Sequence, residues 1–233
     1  MALLLDARAQ VSPASSKEVS LRFTVFALGG VEGVAYRPRA DKPPCVLKFY
    51  TAYRSAEYSY KGAPRLVFFD ENATGENAAP IAIYDIPEGA KSMLLLFSTR
   101  RRATAAGLKY DVRGFDDGVE VVPAGHFRTI NLSGREYVGL YGVDRFAIPE
   151  GVGATHPGRG TIALRFAAWV DGKWMPTGIH EFTMSPRDRV TLIFYPPSNR
   201  AALYPLVRRL TETMSAPTTG KKGQDLSLAP GDV

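Results

Sequence analysis

Leu21, Phe23, Val25 and Ala27 alternate with Arg22, Thr24 and Phe26 in LRFTVFA, the two-residue period of a strand with one buried face. Further β-type runs follow at CVLKFY, RLVFF, IAIYDI and MLLLF, set apart by LGG, DKPP, DENATGEN and IPEG, clusters of the residues that turns require. Short strands at such close spacing predict an all-β sandwich or barrel. Helical periodicity is almost absent. NRAALYPLVRRLTETM is the one candidate, but Pro205 interrupts it and the segment suits an extended chain equally well. The final stretch, SAPTTGKKGQDLSLAPGDV, is polar and aperiodic, which predicts disorder.

The order of these runs recurs later in the chain. Residues 60–99 overlay residues 156–197 at an offset of 97, placing Val67 on Leu164, Phe69 on Phe166, Leu95 on Leu192, Leu96 on Ile193 and Phe97 on Phe194. Upstream, LRFTVFALGG matches FRTINLSGRE loosely. The expectation is a duplication: two tandem β-sandwich domains, immunoglobulin-like or Greek-key, over residues 18–104 and 105–200 and joined near RRRATAAG. Residues 1–17 then form a flexible N-terminus and 201–233 a C-terminal extension. Convergent strand patterning is the alternative source of the similarity.

A chain of 233 residues fits either one large domain or two of about 100 residues. The net charge of +6 and pI near 9.4 permit an anionic partner, but the two halves of the sequence differ little in charge. The one dense basic run, Arg100 to Arg102, reads as a solvated linker, so no nucleic acid is expected as a partner. No stretch reaches the roughly 18 apolar residues of a membrane span. ALLL followed by Ala7-Arg8-Ala9 and Gln10 fits the end of a secretory signal with its small-x-small cleavage site, which places the protein in the periplasm or outside the cell. An ordinary N-terminus is the alternative.

Candidate chemistry is sparse. Asp171-Gly172 in AAWVDGKWMP is a strong two-residue hairpin signal, and it sets Trp169 opposite Trp174. Ile162, Leu164, Phe166, Ala168 and Val170 form one apolar face, which leaves Trp169 on the other with Arg165 and Ala167. Trp169, Trp174 and Arg165 are therefore the candidate ligand-binding residues, the indoles offering a platform for a sugar ring or a partner protein. The alternative is that the indoles pack on each other or against the neighbouring domain.

The single cysteine, Cys45, excludes an intrachain disulfide and a cysteine-based zinc site, and its alternation with Leu47 and Phe49 reads as a buried thiol. His126, His156 and His180 lack chelating spacing, and His180-Glu181 should point to opposite faces of a strand. DENATGEN starts like a calcium loop, but Ile81 stands where the bidentate acid belongs. Asp116-Asp117-Gly118 reads as a hairpin turn. Asn72-Ala73-Thr74 and Asn131-Leu132-Ser133 satisfy the glycosylation sequon. No catalytic residue, cofactor or metal site is predicted.

The succession YKGAPRLVFF, IPEGAKSMLLLF, PAGHFRTINLS and DRVTLIFYPP resembles uncharacterised exported proteins of environmental bacteria over residues 20–210. The resemblance implies an all-β exported protein and transfers no site residues. The leading expectation is a non-enzymatic envelope or periplasmic protein that binds or scaffolds, its partner a protein or glycan of the envelope. A carbohydrate-binding module built on the tryptophan pair is the second reading. An enzyme with an inter-domain cleft is the third.

Overall fold

The computed structural model describes residues 18–50, 53–73, 78–102, 104, 107–197, 199 and 202–215. The chain is all β, with sixteen strands in four sheets and no helix among the described residues. The first eight strands are β1 (Val19–Leu28), β2 (Val34–Tyr36), β3 (Cys45–Val46), β4 (Tyr58–Gly62), β5 (Arg65–Asp70), β6 (Pro80–Asp85), β7 (Ser92–Thr99) and β8 (Tyr110–Asp116). The second eight are β9 (His126–Asn131), β10 (Tyr137–Tyr141), β11 (Asp144–Ile148), β12 (Gly151–Pro157), β13 (Gly160–Val170), β14 (Lys173–Met184), β15 (Asp188–Tyr195) and β16 (Leu206–Thr213).

The strand orders are β4-β1-β7-β8 and β3-β2-β5-β6 in the first half, β12-β9-β15-β16 and β11-β10-β13-β14 in the second. The second half thus repeats the first strand for strand. Even the one parallel pairing recurs, β1 with β7 and β9 with β15.

One apolar core lies between the first pair of sheets, with Phe23, Val25, Leu95 and Phe97 from one and Tyr36, Leu66 and Phe68 from the other. A second lies between the other pair, around Phe127, Leu192 and Phe194 on one side and Leu164, Phe166 and Phe182 on the other. A third apolar cluster joins the halves: Phe26, Leu94, Leu96 and Phe115 meet Ile130, Ile193 and Leu210. The four sheets therefore stack in four layers. The β1 and β9 sheets are covered on both faces, and the β2 and β10 sheets close the two ends.

This layering explains why MLLLF and VTLIF read as unbroken apolar runs. Leu95 and Phe97 face their own core, while Leu94 and Leu96 face the other half, and a strand covered on both sides loses its alternation.

The structure departs from the sequence reading in several places. β8 hydrogen bonds along β7, from Met93↔Asp116 to Thr99↔Tyr110, so the first sheet runs past the expected 104/105 boundary. Arg100 to Arg102 accordingly lie in the β7–β8 hairpin connection, where Arg100 pairs with Asp111. Residues 206–213 of the C-terminal extension form strand β16 along β15. Pro205 sits just before it, where a missing N–H costs the ladder nothing. The offset of 97 holds at Leu95/Leu192 and Phe97/Phe194 but slips by one residue earlier: Leu66 and Phe68 face inward, and Val67 is exposed. CVLKFY gives only a two-residue strand, and Cys45 is half-buried. The expected signal remnant lies outside the described residues, as does the end of the C-terminal extension.

Candidate ligand-binding face

The outer surface of the β10 sheet is the fourth layer's free face. The turn that organises it is the one the sequence marks: Asp171 and Gly172 take φ of 47° and 78°, the left-handed pair a type I′ turn requires. Trp169 and Trp174 are cross-strand partners. Their rings meet edge to face, centroids 5.1 Å apart and planes at 61°. The indoles therefore pack on each other and do not form one flat platform. Both stay accessible, Trp169 at 52% and Trp174 at 37%.

Register places Arg165 beside Leu140, and Leu140 beside Arg145 of β11. The next outward row is small, running Ala147, Val138, Ala167 and Pro176. A shallow groove of about 480 Å³ follows, walled by Arg145, Arg165 and Trp174, with no acidic residue in its lining. The Arg145 guanidinium lies 5.9 Å from a Trp174 ring centroid, within cation–π reach. Arg165 and Trp174 thus share one concavity, Trp169 flanks it, and Arg145 is a member that sequence reasoning missed. Its signal was present in the tight Gly142-Val143 connection, which fixes β11 against β10.

The remaining candidates fall elsewhere. His156 stacks 4.0 Å from the Phe146 ring, and its Nε2 is buried without a hydrogen-bond partner. Burial pushes its pKa below the usual histidine value, with nearby Asp144 opposing. His180 packs beside Phe182 while Glu181 is exposed on the opposite face, and burial, then Arg209, lowers its pKa too.

A histidine held neutral in the fold keeps its full stability above the unfolded pKa of about 6.5 and loses it as pH falls below that value. The variant His156→Phe, which retains the ring stack, should therefore lose less melting temperature than the parent between pH 7.5 and 5, by about 2 °C or more. Differential scanning calorimetry at the two pH values checks this. Equal losses would show that His156 does not titrate in that window.

Asp70 accepts from the Asn72 backbone N–H at 3.1 Å and from Lys109 Nζ at 3.3 Å, contacts that lower its carboxyl pKa. The start of DENATGEN is therefore an Asx turn paired with a lysine, and residues 74–77 lie outside the described residues. Asn131 is buried, its amide donating to the Arg135 and Ile148 carbonyls at 2.7 and 3.1 Å. The second sequon is thus no surface position. Among the described residues no group of three His, Cys, Asp or Glu is placed to hold a metal ion.

Asp117, read from sequence as part of a turn, is the hub of a buried ion cluster between the halves. Its carboxylate meets Arg128 Nη2 at 2.7 Å, Arg54 Nη1 at 2.5 Å and Arg189 Nη2 at 3.4 Å. Glu212, one-third exposed, binds Arg54 and Arg189. Arg128 is almost fully buried. Desolvation, with the other two arginines adding to it, pushes its pKa down to about 10, so it stays charged at neutral pH.

The chain matches no protein-family model, and a search of the curated proteins finds no match. No helix among the described residues is long and apolar enough to cross a membrane.

Proposed function

We propose that this chain is a non-enzymatic, exported binding protein of the cell envelope. Its two halves are read as duplicated β-sandwiches of immunoglobulin-like or Greek-key type, which their identical strand orders support. The junction between the halves is filled by an apolar cluster and the Asp117 ion cluster, a packing that favours a rigid binding scaffold over an inter-domain active site.

The observation that carries the binding assignment is the groove of Arg145, Arg165 and Trp174 on an outward sheet face, two guanidiniums and an indole without an acid among them. An indole face suits a sugar ring and a guanidinium fork suits a carboxylate, so the ligand class is an envelope polymer that carries both, an acidic glycan.

Affinity electrophoresis through gels containing polygalacturonate, and through gels containing its methyl ester, tests this. The protein should be retarded by the acid form and much less by the ester. The double variant Trp174→Ala/Arg145→Ala should lose at least about tenfold in affinity, the sum of a lost stacking contact and a lost charge-assisted bond. Equal retardation of parent and variant, or none of either, sinks the assignment. Mass spectrometry of the mature N-terminus from fractionated cells tests export separately, with a chain beginning at Gln10 in the envelope fraction as the expected result.

A further inference from the structure

The first half carries a second concavity, built by a loop that the repeat in the second half lacks. β10 and β11 are joined by two residues, Gly142 and Val143, whereas β2 and β3 are joined by the eight residues RPRADKPP, Arg37 to Pro44. Three prolines stiffen that loop by fixing their own φ. It is tied down as well: the Lys61 N–H donates to the Pro38 carbonyl at 2.8 Å, and the Lys42 N–H to that of Arg39 at 3.1 Å.

Between this loop, β1 and β4 lies an open cavity of about 840 Å³. Tyr60 and the three prolines line it with apolar side chains, and Leu21, buried in the first core, lies beneath them. Five cations line it, Arg22, Arg39, Lys42, Lys61 and Lys91, and no acid does. Lys91 is brought in from the β6–β7 connection, where its carbonyl accepts the Arg22 N–H at 2.9 Å.

Three of these cations are already matched, Arg22 by Glu57 at 3.6 Å, Arg39 by Asp41 at 3.1 Å and Lys61 by Glu18 at 3.2 Å. The ammonium groups of Lys42 and Lys91 have no ion-pair partner among the described residues. Two unmatched positive charges in a cavity also lined by apolar side chains define the complementary ligand: an anionic head for the lysines and an apolar body for the prolines and Tyr60. A bare phosphate ion would satisfy the first requirement and leave the second unmet.

We infer that this cavity binds a small amphiphilic anion, a phosphate or carboxylate head on an apolar body, with Lys42 and Lys91 holding the head. The site is independent of the tryptophan groove at the other end of the stack. Its ligand is either a free amphiphile or the head region of an anionic lipid in a bilayer.

Titration calorimetry of the full chain with dihexanoyl phosphatidate, which is monomeric in solution, is the test, beside uncharged dihexanoylglycerol and inorganic phosphate. Saturable binding of the phosphatidate is expected, weakening with salt, while both controls bind far more weakly. The double variant Lys42→Glu/Lys91→Glu changes only exposed side chains, so it should keep the parent's urea midpoint while losing about tenfold or more in affinity.

Co-sedimentation with phosphatidylcholine vesicles doped with phosphatidate assigns the source. Pelleting in addition to soluble binding supports a bilayer lipid, and soluble binding alone supports a free amphiphile. The inference is overturned if the phosphatidate does not bind saturably, if the double variant binds it unchanged, or if inorganic phosphate binds as tightly.

Discussion

Asp117→Ala is expected to lower the stability of the protein by about 3–5 kcal/mol, because breaking a buried ion cluster from one side leaves its partners uncompensated. Among the described residues Asp117 is the only carboxylate touching all three arginines, and its own side chain is 4% exposed. With it gone, Arg128 retains the Asp116 carbonyl and the Thr191 hydroxyl but loses its counter-charge in a site that water hardly reaches. Glu212 is no substitute, since it binds Arg54 and Arg189 but not Arg128. Glu212→Gln should accordingly cost only about 1 kcal/mol, its carboxylate being partly solvated.

Urea unfolding measures both variants. The pairing itself is read from Asp117→Ala combined with Arg128→Met, which should cost clearly less than the sum of the two single changes. A loss below about 1 kcal/mol for Asp117→Ala, or strict additivity, would mean that the cluster adds no coupling energy.

The same cluster shows where sequence legibility ended. Alternation in LRFTVFA and the Asp171-Gly172 turn are local properties, fixed by the strand period and by left-handed φ, and both stand in the structure. The outward setting of Trp169 and Arg165 followed from the same period. The five members of the ion cluster come from residues 54, 117, 128, 189 and 212, and only docking of one half on the other assembles them. No spacing rule reports that.

Arg128 in FRTI and Arg189 in DRVTLIF occupy the strand face that a lone sandwich would expose, where an arginine reads as ordinary. The second sandwich turns that face into an interior. Val67 was misplaced for a related reason. A one-residue difference between the two copies ahead of β7 inverts which side chains face the core, and apolar runs with no alternation give nothing to detect it by. DKPP was legible as a turn cluster, but the role of the whole RPRADKPP loop as the wall of a cationic cavity depends on strands that the fold brings beside it.

Phe97→Ala is expected to cost about 3–5 kcal/mol and, more tellingly, to move the unfolding of a part of the molecule it does not touch. Phe97 is fully buried in the first core, edge to face with Phe49 and Phe68 at 5.0 Å each. The protein's two tryptophans sit on β13 and β14, in the last layer of the stack, so tryptophan fluorescence reports the second half alone.

β7 connects the two regions physically. Phe97 and Leu95 face the first core, while Leu94 and Leu96 of the same strand pack on Ile193 and Leu210. Unravelling β7 therefore exposes the junction and hydrates the arginines beneath it, so the second half loses its support together with the first. In urea the fluorescence midpoint of Phe97→Ala should fall alongside the midpoint from far-ultraviolet circular dichroism, the coincidence that marks one cooperative unit. A fluorescence midpoint that stays at the parent's value, with a biphasic dichroism curve, would show that the halves unfold separately. The same separation is the expected consequence of adding Asp117→Ala to Phe97→Ala, because that change removes the charge coupling while leaving each core's own packing in place.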